Sequence, residues 1–436
     1  MEPGVTQRVF TQTLGHAFLS IFNYKRFVAE QRQLSRESRS WKNSFCIGAL
    51  NVDNGRNAPG GEFQYPFNED SKMRLKKMCV TAAMLAAVIG MNVAANAAEK
   101  GNVTLQSAGP LAFGPQGVLM VGDPKAAAVY AIETGDTSGS AADANITVKD
   151  LTGAIKAALK ANAANIADLA VNPQSGNVYL SVTTNGPAAG PSLVKIDGKG
   201  NVTEFSTENV TYTKAILQDA PDDKLVESRR GKQNLRLQSI TDIAFMDGQV
   251  LVSGLNKSDS PSSLRALSYP FDEADPGTSL EIYHGAHGKF EDNRAMNTFV
   301  PFNINGEPTV LAAYTCTPLV KFPVKDLMPG KKTRGTTVAE LGNRNQPLDM
   351  VVYQKDGKEF LLMANSARGV MKVSTEDIGR DEGITEPVRG GGLAGQDYVS
   401  IKQWEGVTQL DKLNDTHAVI VTEIDGKSAL VTVALP

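Results

Sequence analysis

From residue 111 to 433 the chain alternates short apolar runs with turn residues, and one layout recurs. An apolar strand is followed by a Gly/Asn/Asp turn, a second apolar strand, a polar turn and a third strand. The first copy reads Leu111–Phe113, Val118–Val121 and Val129–Ile132. The second reads Ile166–Val171, Val178–Val182 and Leu193–Ile196. Then come Ile240–Phe245, Val250–Val252 and Leu264–Tyr269; Thr298–Phe302, Val310–Ala313 and Leu319–Phe322; and Leu348–Tyr353, Phe360–Ala364 and Val370–Val373. A weaker sixth copy has Val407–Leu410, Val419–Val421 and Leu430–Val433. Runs this short, rich in β-branched residues and bounded by turn chemistry, predict strands. Ile146–Val148, Val202–Phe205, Leu280–Ile282 and Thr337–Ala339 supply a fourth strand in most copies. Residues 149–163 carry helical periodicity and predict one inserted helix.

Four-stranded units repeating every 40–50 residues or more are the signature of propeller blades, at about the spacing of known blade repeats. The predicted fold is therefore all-β: a single β-propeller of four-stranded blades with one short helical insertion. The last copy ends after its third strand, and Asn102–Leu105 ahead of the first copy is strand-like. Letting that segment close the ring favours six blades over five or seven. A β-sandwich array is the competing architecture, since it too is built from short regular strands. Over residues 102–436 the layout resembles the exported propellers that include NHL-type, lactonase-like and quinoprotein-like members. The resemblance rests on repeat layout. The blade Trp of quinoproteins is missing, since Trp404 is the one Trp after residue 97, and no Cys-x-x-Cys-His haem motif occurs.

The start of the chain has a different character. Arg74, Lys76 and Lys77 precede an apolar run at 78–95, and Ala95-Asn96-Ala97 follows. A basic region, an apolar region and a small-x-small site form a secretory signal peptide over 73–97. The expected location is periplasmic or secreted. An uncleaved 78–95 helix acting as a membrane anchor is the alternative; after cleavage no stable span remains. A signal peptide must come first, so 1–72 is expected to be a spurious or disordered extension, with translation starting at Met73. Residues 1–97 hold 12 of the 44 basic residues but 7 of the 47 acidic ones, so 98–436 is acidic. That balance argues against nucleic acid as a partner. Cys316 is the one thiol after residue 97, which excludes an intrachain disulfide there.

Strand alternation sorts the loops onto two faces. Hairpin turns such as Pro173–Gly176, Met246–Gly248, Asn305-Gly306 and Asp356-Gly357 fall on one face. The long segments 149–165, 207–239, 254–262, 284–297 and 389–400 fall on the other. Long loops on a rigid scaffold tend to carry function, so this loop-rich face is the expected site of binding.

Three groups on it carry candidate chemistry. Asp168, Asp242 and Asp349 occupy one repeat position at the start of the innermost strand, where they either converge on Ca²⁺ or another divalent cation or cap their own loops. His284-Gly-Ala-His287, with Glu291 nearby, offers two imidazoles to one metal. Arg294, Asn297, Asn343, Arg344, Asn365 and Arg368, with Cys316, are candidate binding residues, the arginines as clamps for an anion. No Gly-rich phosphate loop and no Gly-x-Ser-x-Gly elbow occurs. The favoured expectation is an exported binding module that recognises a small ligand or a protein partner on the loop-rich face. A metal-assisted hydrolase or lactonase with a cation at the channel mouth is the alternative. A redox partner of a copper or haem protein ranks third.

Overall fold

The structure, a computed structural model, describes residues 98–187, 189–228, 231–271 and 276–436. The expectations for 1–72 and for the signal peptide at 73–97 lie outside the described residues. No helix among the described residues is long and apolar enough to cross a membrane.

Six antiparallel sheets form the blades of a propeller. Blade II consists of Ala163–Val171, Val178–Asn185, Gly190–Ile196 and Val202–Phe205. Blade III is built on Asp242–Met246, Gln249–Leu255, Ser262–Ser268 and Thr278–His284. Blade IV has Thr298–Ile304, Glu307–Ala313, Pro318–Pro323 and Thr336–Leu341, and blade V has Pro347–Lys355, Lys358–Asn365, Gly369–Ser374 and Tyr398–Ser400. In each the first-named strand is innermost. The expected fourth strands at 202–205, 280–282 and 337–339 are thus present.

Blades I and VI depart from the expectation, because both are discontinuous. Blade I takes Leu111–Phe113, Val118–Asp123 and Ala128–Glu133 from the start of the described chain. Its fourth strand is Val210–Ile216, which arrives after blade II, and Glu99–Gly101 adds a fifth. Blade VI takes Val407–Lys412, His417–Ile424 and Lys427–Ala434, and is completed by Thr147–Val148. Asn102–Leu105 therefore does not close the ring. Val103 instead donates its N–H to the Thr207 carbonyl. The inner strands neighbour one another in the ring order I, III, IV, V, VI, II and back to I. The chain builds three strands of blade I, steps back to blade VI, forms blade II, and returns to complete blade I.

The crossing from blade I to blade VI is held from beneath. Asp136 is 7% exposed and accepts from Ser175 Oγ, Asn177 Nδ2 and Tyr179 Oη of blade II at 2.9–3.0 Å. Lys195 Nζ lies 3.3 Å from the same carboxylate. Burial works against that charge, but these donors and Lys195 outweigh it and hold the Asp136 pKa below its usual value. Further on, Asn414 Nδ2 of blade VI donates to the Ala141 carbonyl, and Ile146 N donates to Thr432 Oγ1. The predicted helix runs Leu151–Leu159. Asp150 caps it by accepting from Gly153 N at 2.9 Å. Leu151, Ile155 and Leu159, one helical stripe, enter the core shared by blades II and VI.

The blades stack face to face, so their middle strands are apolar on both sides. In blade V, Leu361 and Met363 pack with Leu311 and Val338 of blade IV. Leu362 and Ala364, one step out of phase, pack with Leu410 and Ile420 of blade VI. A side-chain period of two thus feeds two interfaces at once, which is why these strands read as continuous apolar runs.

Candidate functional site

The inner strands surround a central channel. Pro110, Asp242, Thr298, Asp349, Gln409 and Asp168, taken in ring order, line its mouth at one level. The three aspartates stand on alternate blades. β-Bulges lie immediately before Asp168, Asp349 and Gln409. A bulge re-aims the following side chain, and here it turns these groups toward the channel.

Each carboxylate bridges two strands. Asp242 accepts from Ile243 N at 2.7 Å and, across the blade boundary, from Phe299 N at 2.8 Å. Asp349 accepts from Met350 N at 2.8 Å and Leu410 N at 2.9 Å. Asp168 accepts from Leu111 N at 2.6 Å. The groups thus staple neighbouring blades and also line the channel. An ionised carboxylate has about four acceptor sites, so acceptor capacity is left for the channel.

A fourth aspartate belongs to this site and was missed in the sequence. Asp411 of blade VI accepts from Lys412 N at 2.6 Å and from Val171 N of blade II at 2.7 Å. It lies two residues beyond Gln409, on the same side of its strand. Reading each inner strand to its full length, rather than stopping at Leu410, would have found it.

The aspartate level forms a waist. Above it lies a cavity of 260 Å³ lined by Asp168, Asp242 and Asp349 with Asn297, Thr298 and Gln409. Below it a cavity of 590 Å³ is lined by all four aspartates, by Phe113 and Phe245, and by Lys412. Burial, reinforced by the charge of neighbouring aspartates, pushes the Asp168 and Asp349 pKa values well up. Burial raises Asp242 and Asp411 to about 6. Carboxylates that resist ionising together at one level form a site whose charge a cation would relieve.

The two predicted histidines come together at the outer edge of blade III. His284 ends the strand Thr278–His284, and a tight turn leads into Lys289–Glu291. His284 Nδ1 lies 2.9 Å from Glu291 Oε2, and His287 Nδ1 lies 3.1 Å from Glu291 Oε1. The rings lie 3.8 Å apart, centroid to centroid. His284 is 2% exposed, whereas the His287 side chain is 42% exposed. Burial works against ionisation of Glu291, but hydrogen bonds and charge from the two histidines outweigh it and lower its pKa to about 2.

The other candidates are largely engaged in holding loops. Asn365 is buried, accepts from Ala367 N and Arg368 N, and donates to Asn345 Oδ1. Arg368 donates to the Asn343 carbonyl at 3.2 Å. Its guanidinium lies against Gly342, where a Cβ would fall 2.2 Å from Nη2 and φ is +105°. Cys316, a free thiol, has its backbone N–H on the Asn345 carbonyl. Asn297 accepts from Thr315 Oγ1 at the channel mouth. Arg294 and Arg344 are exposed. The predicted anion clamp is thus an inter-blade tie in the case of Arg368 and Asn343.

No family model matches the chain, and no curated protein matches it. Solved structures do. One described as glucose dehydrogenase is 10% identical, covering 78% of this chain and 99% of its own, with a TM-score of 0.33. A putative oxidoreductase (glucose dehydrogenase) from Thermus thermophilus is 12% identical, with coverages of 77% and 99% and a TM-score of 0.31. The PQQ-bound aldose sugar dehydrogenase from Streptomyces coelicolor is 10% identical, with coverages of 77% and 96% and a TM-score of 0.23. The likeness is one of fold, and a six-bladed β-propeller is what the blades display. These neighbours are described as dehydrogenases and oxidoreductases, and the expectation of a binding module is corrected accordingly. The structure supplies a physical reason as well. Asn365 is engaged by its own loop and Arg368 by the Asn343 backbone carbonyl, while buried carboxylates line the channel.

Proposed function

We propose that the protein is an exported enzyme, a metal-assisted hydrolase of lactones or esters, with a divalent cation held at the channel waist. The observation that carries this reading is the placement of Asp168, Asp242 and Asp349 on alternate blades at one level between two cavities. Carboxylates at that spacing suit a hard cation such as Ca²⁺. The same donors are poorly matched to an anionic, carboxylate-bearing quinone. A cation there supplies Lewis acidity toward a carbonyl oxygen. Asn297, Thr298 and Gln409 offer polar contacts to a substrate entering from the loop-rich face. Asp411, with its raised pKa, would take a proton from a water held in the lower cavity as the water oxygen adds from that side to the carbonyl carbon at the waist. The acyl C–O bond then breaks as that proton passes from Asp411 to the departing oxygen, giving a hydroxy acid from a lactone or an acid and an alcohol from an ester. Export follows from the basic and apolar segments of 73–97.

The test is elemental analysis of natively exported, chelator-free protein beside the Asp168→Asn/Asp242→Asn double variant, followed by a lactone and ester screen. About one equivalent of Ca²⁺ or another divalent metal, lost in the variant together with hydrolysis, is the expected result. Metal-free wild-type protein that hydrolyses neither substrate class would overturn the reading.

A further inference from the structure

We infer that His284, His287 and Glu291 form a second metal site, for a divalent transition ion such as Zn²⁺ or Co²⁺, independent of the channel. Two imidazoles and a carboxylate make a donor set for a borderline metal, unlike the all-oxygen waist. One ligand atom from each of the three residues lies within 4.8 Å of the others. That is a short contraction from the ligand spacing around one ion. At present both histidines converge on the single Glu291 carboxylate, with Lys289 Nζ 3.3 Å from Oε1.

The surroundings are arranged as metal sites usually are. His284 Nε2 is buried without a partner, and so is Glu340 Oε2. Glu340, 1% exposed on the fourth strand of blade IV, holds the turn by accepting from Gly285 N with Oε1. A Cβ at Gly285 would fall 2.8 Å from Val388 Cγ2 and 3.1 Å from that oxygen, so a larger residue would crowd the approach. Metal at His284 Nδ1 would leave the ring proton on Nε2. Glu340, whose carboxyl lies close enough to His284 to feel its charge, would be the acceptor nearest to hand for that proton once the ring and carboxyl close up on each other; carboxylates commonly orient ligating histidines this way. Three protein ligands with one side open to solvent at His287 leave a coordination position for water or a small anion.

The test uses the full chain after chelator treatment, titrated with Co²⁺ and followed by visible absorption. Circular dichroism reports the fold of every variant. One equivalent should bind with the bands of a nitrogen-containing site. His287→Gln, a change at an exposed ring, should weaken binding at least tenfold, and Glu291→Gln should do the same. Asp168→Asn/Asp242→Asn should leave the bands intact, which separates this site from the channel. No Co²⁺ spectrum in the folded wild type, or equal binding in His287→Gln and Glu291→Gln, would overturn the inference.

Discussion

The four channel aspartates do two things that oppose one another. Each staples two strands through backbone N–H groups, which favours the ionised form, yet all are packed among protein atoms and near one another. For Asp242 and Asp411 burial wins, and the folded pKa rises to about 6. A carboxyl raised above its unfolded value, about 4, keeps its proton longer in the folded state. Its stabilising contribution is complete below that value and is lost as pH rises through about 6. Chelator-treated protein should therefore lose Tm between pH 4 and pH 7. Added Ca²⁺ should flatten that slope, and Asp242→Asn should reduce it. Melting curves across that range with and without Ca²⁺ measure it directly. Glu291, lowered to about 2, titrates below this window and works in the opposite direction. Three of the four aspartates were legible in the sequence because they recur at one repeat position. Asp411 was not, because its copy carries Gln409 at that position.

Among elements, the two-residue strand Thr147–Val148 has the largest consequence for its length. It completes blade VI and leads into the helix that covers blades II and VI. Ile146, fully buried just before it, donates to Thr432 and fills the core between those blades. Ile146→Ala should cost roughly 2–5 kcal/mol, the usual range for a large-to-small change in a packed core. Urea unfolding would read this as a lower midpoint at unchanged slope. The segment was recognisable as a strand, but its partner was not. Strand propensity is local, whereas pairing depends on where the Asp136-anchored crossing delivers the chain.

For the molecule as a whole, the ring is closed by interleaving. Blade I needs Val210–Ile216 from beyond blade II, and blade VI needs Thr147–Val148 from before it. Neither the first three inner strands of blade I nor the last three strands of the chain can leave without opening a blade. A chain beginning at residue 134 should lack a cooperative melting transition, because it loses four of the five strands of blade I and the interfaces they make. A chain beginning at residue 106, which loses the outermost strand and Val103, should still melt cooperatively at a lower Tm. Differential scanning calorimetry of the two would separate these outcomes.

The sequence by itself determined that the protein is all-β, that a blade-like strand unit repeats along the chain with six as the favoured count, and that an aspartate recurs at the head of the inner strand. Each of these is a short-range pattern, written in side-chain period and turn residues. It also placed two histidines and a glutamate within one short loop segment, close enough in sequence to meet. Only the tertiary structure decided which strand completes which blade, that blade II lies between blades I and VI, and that Asp411 joins the other aspartates. Only it showed that Arg368 reaches the Asn343 carbonyl of the link between blades IV and V. These outcomes depend on contacts between residues as much as 286 positions apart. No local periodicity encodes pairing at that range, because any edge strand of suitable length satisfies the same pattern until the whole ring is packed.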